Sequence, residues 1–132
     1  MFTYRTTVRL QDTDAAGILY FANQFTIIHE GYEEMFDEIG FGFARLIKKC
    51  DFFLPIVHAE ADYKATLCVG DKLEIKITVL KIGQTSFILT YDLKRGRQRV
   101  GTAQTVHVSI NKKTKKKILL PSSLRTALKR AG

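Results

Sequence analysis

Tryptophan is absent from this 132-residue chain, and there are only two prolines and two cysteines. So few prolines exclude a proline-rich linker or recognition stalk. Cys50 and Cys68 share no CxxC spacing and have no metal-like or base-like neighbours. That excludes a disulfide scaffold and a zinc ribbon, and leaves two reduced packing thiols. No apolar stretch approaches the length of a bilayer span. Met1 to Arg5 lacks an apolar signal core and enters a strand pattern at once, so a cytoplasmic location is expected. Acid is scarce as well. Thirteen Asp and Glu face 21 Lys and Arg, for a net charge of +8. Such a surface attracts anions, whether nucleic acid or a small nucleotide-bearing polyanion. The excess falls late, in Lys94 to Arg99, Lys112 to Lys117 and Arg125 to Arg130.

What is present reads as one globular domain over residues 1–132, with 45% hydrophobic residues and interleaved charge. No linker or internal repeat divides it. Phe2 to Leu10 alternates as a strand, with Phe2, Tyr4, Thr6, Val8 and Leu10 on one face. Gln11 to Ala22 reads as a loop. Phe25, Ile28, Tyr32, Met35, Phe36 and Ile39 then follow helical spacing from Asn23 to about Ile39. Asn23 is the expected N-cap and Gly40 the expected stop. Phe43 to Lys49 predicts a short second helix. Extended segments follow at Phe52 to Leu54, Ile56 to Leu67, Lys72 to Lys81, Ser86 to Lys94 and Arg99 to Lys112, joined by short turns. Ser122 to Arg130 predicts a terminal helix after Pro121. One long helix followed by long, closely connected strands fits an α+β fold, an antiparallel sheet wrapped on the helix.

The loop carries the chemistry. Asp12-Thr13-Asp14-Ala15-Ala16-Gly17-Ile18-Leu19-Tyr20-Phe21-Ala22-Asn23 sets two carboxylates, a glycine and an aromatic pair before a helix N-terminus. An anionic base or nucleophile beside backbone N–H donors suits acyl transfer. Asp-x-Asp alone more often caps a turn. With Gly17 and the aromatic pair in register, Asp14 is the candidate catalytic carboxylate, and Asp12 a solvated group or an acceptor that orders the loop. Tyr20 and Phe21 either pack in the core or border an acyl group. Tyr32 and Phe36 read as core.

Val8-x-x-x-Asp12-Thr13-Asp14-x-x-Gly17-x-x-Tyr20-Phe21-x-Asn23, with the helix ending Tyr32-Glu33-Glu34, resembles the hotdog-fold acyl-CoA thioesterases of the 4-hydroxybenzoyl-CoA thioesterase type. The resemblance runs over nearly the whole chain. Tyr20 to Phe25, His29 to Glu33 and Phe53 to Ala59 look most like the 1,4-dihydroxy-2-naphthoyl-CoA thioesterases of phylloquinone and menaquinone synthesis. In the related short-chain acyl-CoA group a histidine often follows the tyrosine, where this chain has Phe21. The resemblance implies a long central helix wrapped by a bent antiparallel sheet of five or more strands. It also implies paired subunits with sites at their interface, often assembled further into a homotetramer. Asp14 would act as nucleophile or general base, Gly17 would shape the loop, and the backbone N–H near Phe21 would polarise the thioester carbonyl. Tyr20, Asn23, His58, Lys64, Lys81 and Ser86 are the expected substrate contacts. No metal or separate cofactor is expected, since coenzyme A belongs to the substrate.

Other constellations fail. His29, His58 and His107 have no ligand spacing. No GxSxG is present. Gly40-Phe41-Gly42-Phe43-Ala44-Arg45 lacks the third glycine and follows a helix instead of a strand. In the aryl-CoA thioesterases a basic turn before the strand starting here at Ser86 meets the nucleotide. This chain has only Lys81 charged there, so the phosphate partner is Lys64, Lys81 or the Lys112 to Lys117 turn, itself otherwise a solvated face. The expected partners are an acyl-CoA and further copies of the chain, with neither nucleic acid nor membrane. Competing readings are a broad short- or medium-chain acyl-CoA or acyl-carrier-protein thioesterase, and a hotdog protein that binds acyl-CoA without turnover. A nucleic-acid binder, suggested by charge alone, would show steep salt dependence.

Overall fold

The computed structural model describes all residues, 1–132. The strands are β1 (Phe2–Thr7), β2 (Phe52–Phe53), β3 (Ile56–Tyr63), β4 (Lys72–Ile82), β5 (Ser86–Arg95), β6 (Gln98–Val108) and β7 (Ile110–Asn111). The helices are α1 (Asn23–Glu38), α2 (Phe43–Lys49) and α3 (Ser122–Ala131). Five strands form one antiparallel sheet in the order β1-β4-β5-β6-β3, and β2 pairs with β7 separately. This is the α+β hotdog architecture that the resemblance implies.

Alternation explains which face of the sheet meets α1. Leu73, Ile75 and Ile77 of β4 and Phe87, Leu89, Tyr91 and Leu93 of β5 are buried, while the residues between them are less so. α1 answers with Ile27, Ile28, Met35 and Phe36, each at most 2% exposed. Burying each such side chain contributes about 1.5–3 kcal/mol. Gly31 lets the helix lie close, because a Cβ there would come within 3.0 Å of Ile77 and 3.2 Å of Tyr4.

Several boundaries differ from expectation. β1 ends at Thr7, and Leu10, 75% exposed, sits in a 3-10 turn spanning Leu10–Asp12. The backbone of Val8 pairs with Gly70 and Asp71 instead, which turns the chain away from the sheet. β3 stops at Tyr63 because Lys64 N–H and Ala65 N–H both donate to the Val100 carbonyl. The predicted Arg99 to Lys112 strand breaks at Ser109, whose N–H donates to Thr85 and whose hydroxyl donates to Ile118. Phe25 is only half-buried, and Gln24, which the apolar pattern passes over, is 1% exposed. Asn23 is the first helical residue and not the cap. Ala22 holds that position without any side-chain hydrogen bond.

Two polar arrangements lie inside the core. Gln24 Nε2 reaches the Asp62 and Thr102 carbonyls, at 3.4 and 3.3 Å, and so ties the start of α1 to β3 and β6. It lies over Gly101, where a Cβ would meet Gln24 Oε1 at 2.9 Å and the Asp62 carbonyl at 3.2 Å. Deeper in, Tyr91 OH and Thr105 Oγ1 are 2.9 Å apart, and Thr105 Oγ1 is 2.7 Å from His107 Nε2. The His107 ring stacks on Phe87 at 4.6 Å and packs against Tyr32. His107 Nδ1 and Tyr32 OH have no partner within the chain. Burial pushes the Tyr91 phenol up to about 12 and the His107 imidazole down to about 3, the latter helped by His29.

Two predictions follow from these contacts. Unfolded His107 takes up a proton near 6.5, whereas the folded residue does so only near 3. Between these values the unfolded state binds more protons, so stability is fully present above about pH 6.5 and falls as pH drops toward 3. From this one group the loss at pH 5 relative to pH 7 is roughly 2 kcal/mol, measurable by urea titration. His107→Phe should flatten that slope and stay within about 1.5 kcal/mol of wild type at neutral pH. An unchanged slope would place the acid sensitivity elsewhere. Second, Gly101→Ala should cost about 1–3 kcal/mol by overpacking. Gln24→Ala combined with it should cost less than the two single changes added together. Strict additivity would show that Gln24 does not press on Gly101.

Candidate active site

The motif loop is held mostly by backbone bonds. Thr13 and Leu19 form an antiparallel bridge, Asp14 N–H donates to the Ile18 carbonyl at 2.8 Å, and Gly17 N–H returns to the Asp14 carbonyl at 3.1 Å. Gly17 has φ +77°, the left-handed region where a side chain is strained. The hairpin so formed is pinned to the segment after β3. Leu19 N–H donates to the Leu67 carbonyl, Val69 N–H donates to the Gly17 carbonyl, and Ile18 bridges to Cys68.

The two carboxylates do different work. Asp12 is buried, and its Oδ2 accepts the Arg9 N–H at 2.9 Å. Its main-chain carbonyl accepts both Tyr20 N–H at 3.0 Å and Asn23 Nδ2 at 2.9 Å. Of the two sequence readings for Asp12, the loop-ordering one matches. Asp14 is exposed. Its Oδ1 accepts the Ala16 and Ile18 N–H groups, at 2.9 and 3.3 Å, while Oδ2 accepts nothing within the chain. One oxygen thus closes the turn that presents the other.

The chain enters α1 through a turn. Asn23, Gln24 and Phe25 N–H groups donate to the carbonyls of Tyr20, Phe21 and Ala22. The N–H groups of Phe21 and Ala22 find no acceptor in the chain. They are two of the unpaired donors that every helix leaves at its start, where the dipole favours negative charge. Phe21 is 62% exposed and Tyr20 48%, with ring centroids 5.0 Å apart. Ile18, Leu19, Phe21, Gln24 and the run from Tyr63 to Leu67 line an open cleft of about 410 Å³.

The expected substrate contacts scatter within one chain. Lys64 lines the cleft, and Tyr20 stands beside Phe21. The Asn23 amide is committed to the Asp12 carbonyl. His58 is exposed on β3, 3.4 Å from Glu60. Lys81 and Ser86 flank the β4–β5 turn, whose Gly83 and Gln84 carbonyls accept from Arg125 of α3. Arg95, at the other end of β5, donates to the carbonyl of Thr66 beside the cleft. Nine residues of strand therefore separate Ser86 from that end, roughly 30 Å.

Tyr63 and Gln24 escaped the sequence reading. Tyr63 OH donates to the Phe21 carbonyl at 2.6 Å, and its ring meets Phe21 edge-on at 6.5 Å. Partial burial raises the Tyr63 phenol above its ordinary value. The available signals were a lone Gln on an apolar helix stripe and a lone Gly, Gly101, within a strand. Asp71 also steadies the loop behind the cleft. It accepts the Cys68 N–H at 2.8 Å and pairs with Arg95 at 2.7 Å. Its carboxyl is held below the usual range first by the Cys68 N–H, with burial opposing and Arg95 reinforcing. No group of three or more His, Cys, Asp or Glu side chains is placed to hold a metal ion.

Comparison with known proteins identifies the family and the fold. Residues 8–128 match the model of the thioesterase-like superfamily. A 1,4-dihydroxy-2-naphthoyl-CoA hydrolase from Nostoc punctiforme is 41% identical over 123 residues, covering 93% of this chain and 83% of that one. The crystal structure of a 1,4-dihydroxy-2-naphthoyl-CoA thioesterase from Synechocystis superposes with a TM-score of 0.90 at 35% identity, covering 96% and 94% of the two chains. A gentisyl-coenzyme A thioesterase structure superposes with a TM-score of 0.85 at 28% identity, covering 96% and 98%. With its five-stranded sheet around one long helix and its Asp14 loop at the helix start, the chain belongs to the thioesterase-like superfamily.

Proposed function

We propose that the protein hydrolyses an aromatic acyl-CoA thioester, 1,4-dihydroxy-2-naphthoyl-CoA, to the free acid and coenzyme A. It would thereby serve the synthesis of menaquinone or phylloquinone. The observation that carries the reading is that one short stretch leaves a carboxylate oxygen, Asp14 Oδ2, and the N–H donors of Phe21 and Ala22 all without partners in the chain. The Thr13–Leu19 bridge and the Tyr20-to-Asp12 bond fold the two parts of this stretch alongside each other. The named relatives supply the acyl group.

A thioester carbonyl is reactive because sulfur donates poorly into it. Asp14 takes a proton from water as the water oxygen adds to the carbonyl, or it adds to the carbonyl itself. In the second route the C–S bond breaks to a mixed anhydride, which water then cleaves. In both, the coenzyme A sulfur leaves and is protonated. The Phe21 N–H, at the positive end of α1, takes the charge that grows on the carbonyl oxygen. One such donor is worth about 3 kcal/mol. Gly17, at positive φ, shapes the turn in which the Ala16 and Ile18 N–H groups occupy Asp14 Oδ1 and leave Oδ2 free, and Tyr63 fixes the peptide that follows the Phe21 N–H. Tyr20 and Phe21 border the aromatic acyl group, and Lys64 offers a cation to the phosphates of coenzyme A.

The working unit is a homo-oligomer, a dimer or a dimer of dimers. β3 lies at the edge of the sheet, and Ile56, Val57 and Tyr63 on it are exposed. A bare edge strand of this kind is a template for another chain. A second copy there covers the open cleft, and it is the only route by which His58, Lys81 or Ser86 joins the substrate.

Thiol release from 1,4-dihydroxy-2-naphthoyl-, 4-hydroxybenzoyl-, gentisyl-, benzoyl- and straight-chain acyl-CoAs tests the reading. The naphthoyl thioester should be turned over fastest. Asp14→Asn should lower kcat by roughly 10²–10⁴-fold. It should leave Tm nearly unchanged, because the Asn oxygen still closes the turn. Tyr63→Phe should lower kcat several-fold with a small change in KM. Equal rates on aliphatic thioesters would reassign the substrate class. Full activity in Asp14→Asn would remove Asp14 from the chemistry.

A further inference from the structure

The turn joining β7 to the last segment carries a basic surface outside the cleft. Asn111 Oδ1 accepts the Lys113 and Thr114 N–H groups, both at 2.9 Å, and closes the turn. Lys115 holds φ +62°, the only non-glycine residue with positive φ in the chain, at a cost that Gly or Asn would avoid. Its Nζ sits 4.8 Å over the Phe53 ring, and Lys112 Nζ lies 5.5 Å from the same centroid. Lys112 also donates to the Ile47 and Cys50 carbonyls at the end of α2. Two lysines are thus folded inward as fasteners. Lys113, Lys116 and Lys117 are left exposed, as are Lys48 and Lys49 in the last turn of α2 that Lys112 reaches, and none of the five forms an ion pair.

An apolar side chain stands at the edge of this basic turn: Leu119, 68% exposed, follows Lys117 by two residues in an extended segment and so shares its outward face. Across α2 the field ends, where Glu33, Glu34 and Asp37 line a separate hollow with Ala44 and Ile47. The patch lies at the far end of α1 from the cleft. Phe43 of α2 stacks on Phe36, four turns of helix beyond Phe21.

We propose that this turn docks the protein reversibly on an anionic lipid bilayer, with the lysines on headgroup phosphates and Leu119 in the interfacial layer. No helix of the chain is long and apolar enough to cross a membrane, so the contact is peripheral. The sequence reading set membranes aside for want of a spanning run, and a basic surface needs none. Anionic membrane surfaces attract clustered lysines, and an apolar side chain among them adds hold only where there is hydrocarbon to enter. A nucleic acid rewards exposed aromatic rings, but the one ring here, Phe53, is covered by Lys112 and Lys115.

Co-sedimentation of the full chain with phosphatidylcholine vesicles, with and without a minority of phosphatidylglycerol, tests this. Wild type should pellet only with the anionic vesicles and be released by high salt. Lys113→Ala/Lys116→Ala/Lys117→Ala should bind roughly a hundredfold more weakly, with its Tm and its KM for acyl-CoA unchanged. Leu119→Ser should weaken binding several-fold at constant charge. Three outcomes would overturn the proposal. In one, wild type fails to bind anionic vesicles. In another, the triple variant binds them as wild type does while its KM for acyl-CoA rises, which would assign the turn to the nucleotide of coenzyme A. In the last, the chain holds duplex DNA as tightly as vesicles and is indifferent to Leu119, which would assign it to nucleic acid.

Discussion

A sixteen-residue helix with one apolar face has to be covered, and one face of the β1-β4-β5-β6-β3 sheet is the surface that covers it. Most of the architecture is a consequence. The helix can lie close only where side chains give way, and Gly31 and Gly101 supply those places. Once it is seated, its N-terminus emerges between the motif loop and the end of β3. The unpaired donors at Phe21 and Ala22 are therefore brought to the surface by packing that has nothing to do with chemistry. The catalytic proposal needs only a carboxylate beside them.

That carboxylate is positioned by bonds which leave its reactive oxygen alone. Asp12, buried, spends its side chain on Arg9 and its carbonyl on Tyr20 and Asn23. Asp14, exposed, spends one oxygen on its own turn. The division follows from spacing. Residues two apart in an extended segment face opposite ways only if the chain bends between them, and the 3-10 turn ending at Asp12 supplies that bend. Behind the loop, the Asp71–Arg95 pair links the β5–β6 turn to the segment from Leu67 to Asp71, whose Leu67 and Val69 bind Leu19 and Gly17 of the motif loop. Half-exposed pairs of this sort add little stability alone. Here the pair fixes where the walls of the cleft stand.

Much of this was legible in the chain. Period-two alternation located β4 and β5 within a residue or two, and helical spacing located α1, because in both cases one face is buried along its whole length. The motif loop was visible because its aspartates, glycine and aromatics lie close in sequence. Leu10 misled, since alternation continued by accident past the point where Val8 leaves the sheet. Ser109 misled too, because the partners that break the strand, Thr85 and Ile118, are set by tertiary structure. Tyr63 carries no local signal of its function, and Gln24 shows only as a lone amide on an apolar stripe. Each acts through a main-chain carbonyl on a distant element, and such a bond has no counterpart in spacing. The wide separation of Lys64 from Lys81 and Ser86 was hidden for the same reason. Only the register of β5 against β6 reveals it.

The row Tyr91–Thr105–His107 shows where the fold gives something up. Three polar groups lie under the sheet, with His107 Nδ1 and Tyr32 OH unpaired. An unmatched buried polar group costs about 1–3 kcal/mol. The aromatic stack of Phe87, His107 and Tyr32 offsets part of that, and it does so only while the imidazole is neutral. Acid therefore acts on this protein in the core, at His107. With a net charge of +8 the chain repels itself as well, so a protonated His107 adds to a strain already present. A fall in activity at low pH consequently reports first on the core, and His107→Phe, which keeps the stack and discards the charge, should remove the part of it that comes from unfolding.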